Sequence, residues 1–158
     1  MTSISTHLVR GVVAGAVGTT ALNAATFLDM ALRGRAASST PEQVVERSAE
    51  LFGLPLPADD VKRQATESGL GSLLGTVAGI SVGVALGALR GLGLPSGRAT
   101  TAGTAWVMVM VAGNGPMTVL GVTDPRSWTT VDWVADVVPH LCYAFAAAAT
   151  LDAFDSAA

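Results

Sequence analysis

Six glycines recur at every fourth position between residues 71 and 91, in the stretch GSLLGTVAGISVGVALGALRG. They are Gly71, Gly75, Gly79, Gly83, Gly87 and Gly91. In a water-soluble helix each glycine costs about 1 kcal/mol relative to alanine, so such a row would destabilise it. In lipid the hydrophobic effect does not drive helices together, and small residues let two backbones approach closely enough to pack. The row therefore predicts a membrane-spanning helix with a glycine-zipper contact surface.

The composition is typical of a membrane protein. Hydrophobic residues make up 50% of the chain, 18 of its 158 residues are glycine, and only 13% are charged, while the mean hydropathy is +0.51. The net charge of -3 comes without a basic cluster, which excludes nucleic acid as a partner. The single cysteine, Cys142, cannot form an internal disulfide. The sequence predicts neither a metal site nor a cofactor.

Long stretches without charge predict an all-α, polytopic fold that forms one transmembrane domain over residues 1–158. Crossing the hydrocarbon core takes roughly 20 apolar residues, and three stretches free of charge are about that long. A fourth stretch contains one acid, Asp136. A retained first span is favoured over a cleaved signal peptide, because its apolar part exceeds the usual length of about 7–15 residues. The four predicted spans are residues 9–32, 68–90, 99–122 and 131–152.

The loop between the first two spans predicts a short amphipathic helix over residues 41–52. Thr40 and Gln43 form a capping-box pattern, Pro41 suits the first helical position, and Gly53 favours a stop. We expect this helix to rest on the membrane face or to cap the bundle.

Lysine and arginine predict the orientation in the plasma membrane. One side of the membrane holds the loop over residues 33–67 and the loop before the fourth span. This side carries more lysine and arginine than the opposite side, which holds Arg10, Arg90 and Arg98. The 33–67 loop is therefore expected in the cytoplasm and both termini outside.

Small residues in the first span predict its partner. Gly11 and Gly15 lie four apart, so the first two spans are expected to cross closely. The glycine row drifts around its helix by about 40° at each step of four residues, which leaves its far end free to meet another subunit or a different membrane protein. Asp29 and Arg33, four apart with the acid first, predict an ion pair at the membrane boundary.

The fourth span carries the best candidate for a polar site inside the membrane. Asp136, His140 and Tyr143 share one helix face, and ionisable groups in a span normally face the bundle interior or water. Asn23 in the first span and Asn114 in the third are the expected partners. The pair is either a relay for protons or a structural clasp between helices. The stretch GNGPM over residues 113–117 predicts a kink or break beside Asn114.

The whole chain resembles a group of small, uncharacterised four-helix membrane proteins of high-GC Gram-positive bacteria. The resemblance rests on LDMALRGRAASSTPEQVVE at residues 28–46, on the glycine row, and on GVTDPRSWTTVDWVADVVPHLCYA at residues 121–144. It implies an intact membrane protein of this size in the cell membrane, and it brings no catalytic residue with it.

Three functions follow from these patterns. The favoured one is a non-enzymatic accessory or assembly subunit, or a small homo-oligomer held by glycine packing through the second span, because no catalytic motif is evident. The alternative is a small transporter or proton-coupled channel that uses Asp136 and His140. The third is a membrane enzyme acting on lipid head groups with His140 as its base.

Overall fold

The computed structural model describes residues 3–94 and 97–156, and over these residues every regular element is helical. The prediction of an all-α fold is confirmed. The elements are α1 (Ile4–Arg33), α2 (Thr40–Phe52), α3 (Asp60–Gly91), α4 (Arg98–Val119), a short 3-10 turn (Pro125–Ser127) and α5 (Thr130–Ser156).

Helix ends follow local capping chemistry rather than hydropathy. α3 begins well before residue 68, because the Asp59 side chain accepts a hydrogen bond from the Lys62 amide at 2.9 Å and starts the helix in a charged segment. α2 is preceded by Ser39 rather than capped by Thr40, and Gln43 Nε2 donates to Ser39 Oγ at 2.9 Å. Apolar content marks how much of a helix suits lipid, whereas caps decide where the helix stops.

Four long helices form an up-and-down bundle in which α1 and α4 each contact both α3 and α5. The end that holds the starts of α1 and α4 and the ends of α3 and α5 is called the terminal end. The opposite end, called the loop end, holds α2 and residues 120–129. Small side chains dominate the core, which lets the helices approach closely. The buried core residues include Ala14, Ala105, Ala144, Ala147, Val82, Leu86, Tyr143 and Leu151.

Three helices, α1, α3 and α5, are long and apolar enough to cross a membrane. Their outward faces are apolar: Phe27 is 63% exposed, Leu73 57% and Phe145 62%. A water-soluble bundle of this size would bury such side chains. The arrangement is consistent with a membrane protein, as the composition predicts.

α4 continues as a helix through Pro116 and ends at Val119. Of the predicted kink or break over residues 113–117, the break is therefore wrong, and the kink stays a prediction. Proline removes one backbone hydrogen bond, to the carbonyl four residues earlier, and Pro116 lies within the last turn, where few ladder bonds remain to be disturbed.

Candidate functional site

α1 and α3 meet through glycines with no room for a side chain. A Cβ atom on Gly11 would lie 2.5 Å from the Gly83 carbonyl oxygen, and one on Gly15 would lie 2.8 Å from Ile80 Cα. On α3, a Cβ atom on Gly83 would overlap the Gly15 backbone, and one on Gly87 would overlap the His7 carbonyl. The two backbones are in direct contact toward the terminal end.

The glycine row does not serve a single partner along its length. A Cβ atom on Gly71 would lie 2.9 Å from Pro41 Cβ of α2. Gly75 has no atom within 4 Å of its Cβ position. The two helices are antiparallel, and Gly79 lies beside Thr19. Four residues further toward the loop end, the same register pairs Gly75 with Asn23, which is exposed. The close contact between the two helices therefore does not extend to Gly75, and both Gly75 and Asn23 are exposed.

Tyr143 links three helices at the centre of the bundle. Its side chain on α5 is fully buried, and its hydroxyl donates a hydrogen bond of 2.6 Å to the Gly79 carbonyl of α3. Its ring lies against α1, where a Cβ atom on Gly18 would come within 2.7 Å of the ring. Sequence reasoning missed Gly18, although its spacing after Gly11 and Gly15 puts it on the same helix face.

A polar cluster joins α4 to α5. Asn114 Nδ2 donates to Asp136 Oδ2 at 2.9 Å. His140 Nδ1 lies 2.7 Å from the Asp136 backbone carbonyl and 3.5 Å from its Oδ1. The side chains of Asp136 and His140 are 18% and 14% exposed. Both face the bundle, and Asn23 is not part of the cluster.

The imidazole of His140 is oriented so that its two nitrogens have different roles. Because Nδ1 donates to a backbone carbonyl in the neutral ring, Nε2 carries the free lone pair. Nε2 points toward α4, where a Cβ atom on Gly113 would lie 3.1 Å away. The cluster holds a carboxylate fixed by an amide next to a base with one free nitrogen, which is chemistry suited to proton exchange.

Charges at the loop end form local pairs. Arg33 Nε lies 2.7 Å from Asp29 Oδ1, and Arg35 also reaches this carboxylate, with its Nε 2.6 Å from Oδ2. Sequence reasoning named the first pair but not Arg35. In the loop between α4 and α5, hydrogen bonds from the Arg126 side chain lower the pKa of Asp124.

The terminal end also holds a group of charged side chains, which sequence reasoning missed. We call it the terminal charge cluster, and it draws one residue or more from each of α1, α3, α4 and α5. Arg90 Nη2 lies 2.7 Å from Asp152 Oδ1, and Arg98 Nε lies 2.9 Å from Asp152 Oδ2. The cluster consists of Arg10, Arg90, Arg98, Asp152 and Asp155.

Arg90 is the centre of this cluster. Its side chain is 6% exposed and also pairs with Asp155. Such a buried arginine normally needs several acceptors. The sequence offered one sign of this cluster, which is position: Arg90, Arg98 and Asp152 all lie at predicted span ends on one side of the membrane.

Within the described residues, no three His, Cys, Asp or Glu side chains form a group that could hold a metal ion. Comparisons of the chain with protein-family models, curated proteins and solved structures find no match.

Proposed function

We propose that this chain is a four-span protein of the bacterial plasma membrane that acts as a small homo-oligomer, in the manner of an accessory or assembly subunit. The resemblance to small four-helix membrane proteins of high-GC Gram-positive bacteria supports this placement. The observation that carries the proposal is that Gly75 and Asn23 are both exposed on the outside of the bundle, with no atom near the Gly75 Cβ position.

A fourth span is supported by the dimensions and surface of α4. Its 22 residues correspond to a length of about 33 Å at 1.5 Å per residue, against about 30 Å of hydrocarbon. Val107 and Val111 are exposed on its outer side. Its lower apolar content comes partly from glycine, threonine and Asn114, of which Thr101 is buried and Asn114 bonds to Asp136 of α5.

These two exposed positions are suited to contact with a second copy of the chain. An asparagine left in hydrocarbon without a hydrogen-bond partner is costly, and asparagine side chains bond well across helix interfaces in membranes. Gly75 provides the close approach that such a bond needs. Around it Leu74 and Val77 are 50% and 53% exposed and supply the surrounding packing surface. The glycine row thus serves the fold through Gly71, Gly79, Gly83 and Gly87, and serves assembly through Gly75.

Replacing Gly75 and Asn23 with leucine tests this assembly. Because nothing lies within 4 Å of the Gly75 Cβ position, we expect Gly75→Leu with Asn23→Leu to keep the folded monomer while weakening association by at least about tenfold. Light scattering in mild detergent measures the mass, which reports both whether the monomer stays folded and how strongly it associates.

The matched control is Gly103→Leu on α4, since the Gly103 Cβ position also has no atom within 4 Å. This variant should keep the mass of the native protein. An unchanged oligomer in the double variant, or a native protein that is monomeric in detergent and in lipid nanodiscs, contradicts the proposal.

The orientation follows the distribution of positive residues. Arg33, Arg35, Arg47, Lys62, Arg63 and Arg126 lie toward the loop end, against Arg10, Arg90 and Arg98 at the terminal end. By the positive-inside rule the loop end with residues 33–67 is cytoplasmic. Labelling of a cysteine introduced at Ser48 by a membrane-impermeant reagent in intact cells would contradict this orientation.

A second candidate function is proton-coupled transport through the cluster of Asn114, Asp136 and His140. It is favoured by the oriented imidazole, whose Nε2 is free while its Nδ1 is bound. Intramembrane acids and histidines commonly relay protons. In this function the polar cluster lines the path, and the oligomer supplies the remaining helices.

Asp136→Asn combined with His140→Gln separates relay from clasp. Neither amide titrates, so we expect a pH-dependent flux, measured with a pH-sensitive dye in proteoliposomes, to fall to background in the double variant if the cluster relays protons. The unfolding temperature should change little, because both amides can still bond to Asn114 or the backbone. Two results would rule out the relay: a native flux that does not depend on pH, or a flux that the double variant retains.

A further inference from the structure

The terminal end holds a cavity between the end of α3 and the start of α4. Its volume is about 260 Å³. Leu86, Leu89 and Leu94 form an apolar wall, and Arg90, Thr101 and Thr104 form a polar one. No function described above uses this cavity.

The polar wall contains donors that lack acceptors within the described part of the chain. The Nε atom of Arg90 is buried without a hydrogen-bond partner, although the side chain is 6% exposed and Nη2 donates to Thr101 Oγ1 at 3.1 Å. The hydroxyls of Thr118 and Thr150 each donate to a carbonyl four residues earlier at 2.8 Å. Thr104 makes no such bond among the residues described. A ligand oxygen in the cavity would give the Thr104 hydroxyl an acceptor, whereas the buried Arg90 Nε contributes through its positive charge.

The charge around the cavity favours an anion. The terminal charge cluster has three arginines and two aspartates, which leaves one positive charge. The side chain of Arg98 is 73% exposed and can reach outward. α4 begins after Gly97 without a side-chain cap, so its amide dipoles add partial positive charge at the same place.

We propose that this cavity binds the phosphate group of an anionic phospholipid, with an acyl chain against the leucine wall. A phosphodiester oxygen suits the Thr104 hydroxyl and the positive charge of Arg90, and the exposed Arg98 favours a head group that carries no cation of its own. Free phosphate has no apolar group that would contact the leucine wall. Leu94, one of the lining residues, is 48% exposed and lies where a lipid can reach it under the proposed membrane placement. The inference rests on the membrane placement proposed above but not on the oligomer.

Native mass spectrometry of delipidated protein in detergent tests the site with short-chain phosphatidylglycerol as the probe. Thr104→Leu fills the cavity and removes its free hydroxyl, so we expect phosphatidylglycerol to bind about tenfold more weakly to this variant. Thr118→Leu, a change on the same helix away from the cavity, should bind as the native protein does. Phosphatidylcholine should bind the native protein about tenfold more weakly than phosphatidylglycerol.

Arg98→Gln provides a second variant that does not depend on filling the cavity. It should reduce the preference for phosphatidylglycerol over phosphatidylcholine, because it removes an exposed charge near the head group. Equal binding of the two lipids by the native protein, or unchanged binding by Thr104→Leu, overturns the site. Competition by millimolar inorganic phosphate would show that free phosphate is the ligand and also overturns the lipid assignment. The same spectra report the number of chains, so a failed lipid site and a failed oligomer are told apart.

Discussion

Gly83→Leu should leave little folded protein. The Gly83 backbone lies directly against Gly11 and Gly15, so a leucine there must push α1 and α3 apart along their whole contact. Overpacking of a core costs about 1–3 kcal/mol when side chains can adjust, and here the obstacle is backbone. We therefore expect a loss on the order of 3 kcal/mol or more, measured as folded yield by size exclusion and as the thermal unfolding midpoint in detergent.

Gly103→Leu is the control for the effect of leucine at a helical glycine. Its Cβ position is open, and leucine favours helix over glycine by roughly 0.5–1 kcal/mol. The control should fold as well as the native chain or better. A Gly83→Leu protein with native yield and native midpoint would show that α1 and α3 do not pack as described.

Asp152→Leu should destabilise the terminal end strongly. It removes the acceptor that Arg90 Nη2 reaches at 2.7 Å, and the Arg90 side chain is 6% exposed. Removing one partner of a buried ion pair costs about 3–5 kcal/mol, because the other charge stays buried. Since Asp155 still pairs with Arg90, we expect a loss near the lower limit, about 3 kcal/mol. Thermal unfolding in detergent measures it.

Two further variants isolate the buried charge as the cause. Adding Arg90→Met to Asp152→Leu should recover much of the loss, because it removes the unpaired cation and leaves an apolar contact. Glu50→Leu breaks the pair of Arg47 and Glu50, whose side chains are 61% and 56% exposed, and should cost less than about 1 kcal/mol. An additive loss in the Arg90 and Asp152 double variant would contradict this account.

The parts of the fold that local pattern controls could be predicted from the sequence. Apolar length predicts α1, α3 and α5 as helices able to cross a membrane, and these helices are present. The composition of α4 is less apolar, so its proposed role as a span depends on its length and outward face. The caps at Ser39 and Asp59 depend on side-chain geometry that competes among neighbouring residues.

The candidate sites were harder to predict because their partners are distant in sequence. Asp136 and His140 share a helix face, which periodicity shows, but the choice of Asn114 over Asn23 depends on how the helices pack. Arg90 meets Asp152 across 62 residues, and no local spacing links them. Helical periodicity gives the direction in which a side chain points, whereas the neighbour it meets is set by the crossing of whole helices.

The contact between α1 and α3 limits how this protein can vary in length. Gly79 lies beside Thr19, Gly83 beside Gly15 and Gly87 beside Gly11, so both helices advance in matched steps of four residues. One inserted residue within either contact segment would turn the following glycines by about 100° and direct bulkier side chains at the partner backbone. Insertions in the links at 34–39 and 53–59 leave every pairing in place. Insertions and deletions should therefore be tolerated in these links and excluded from the paired segments.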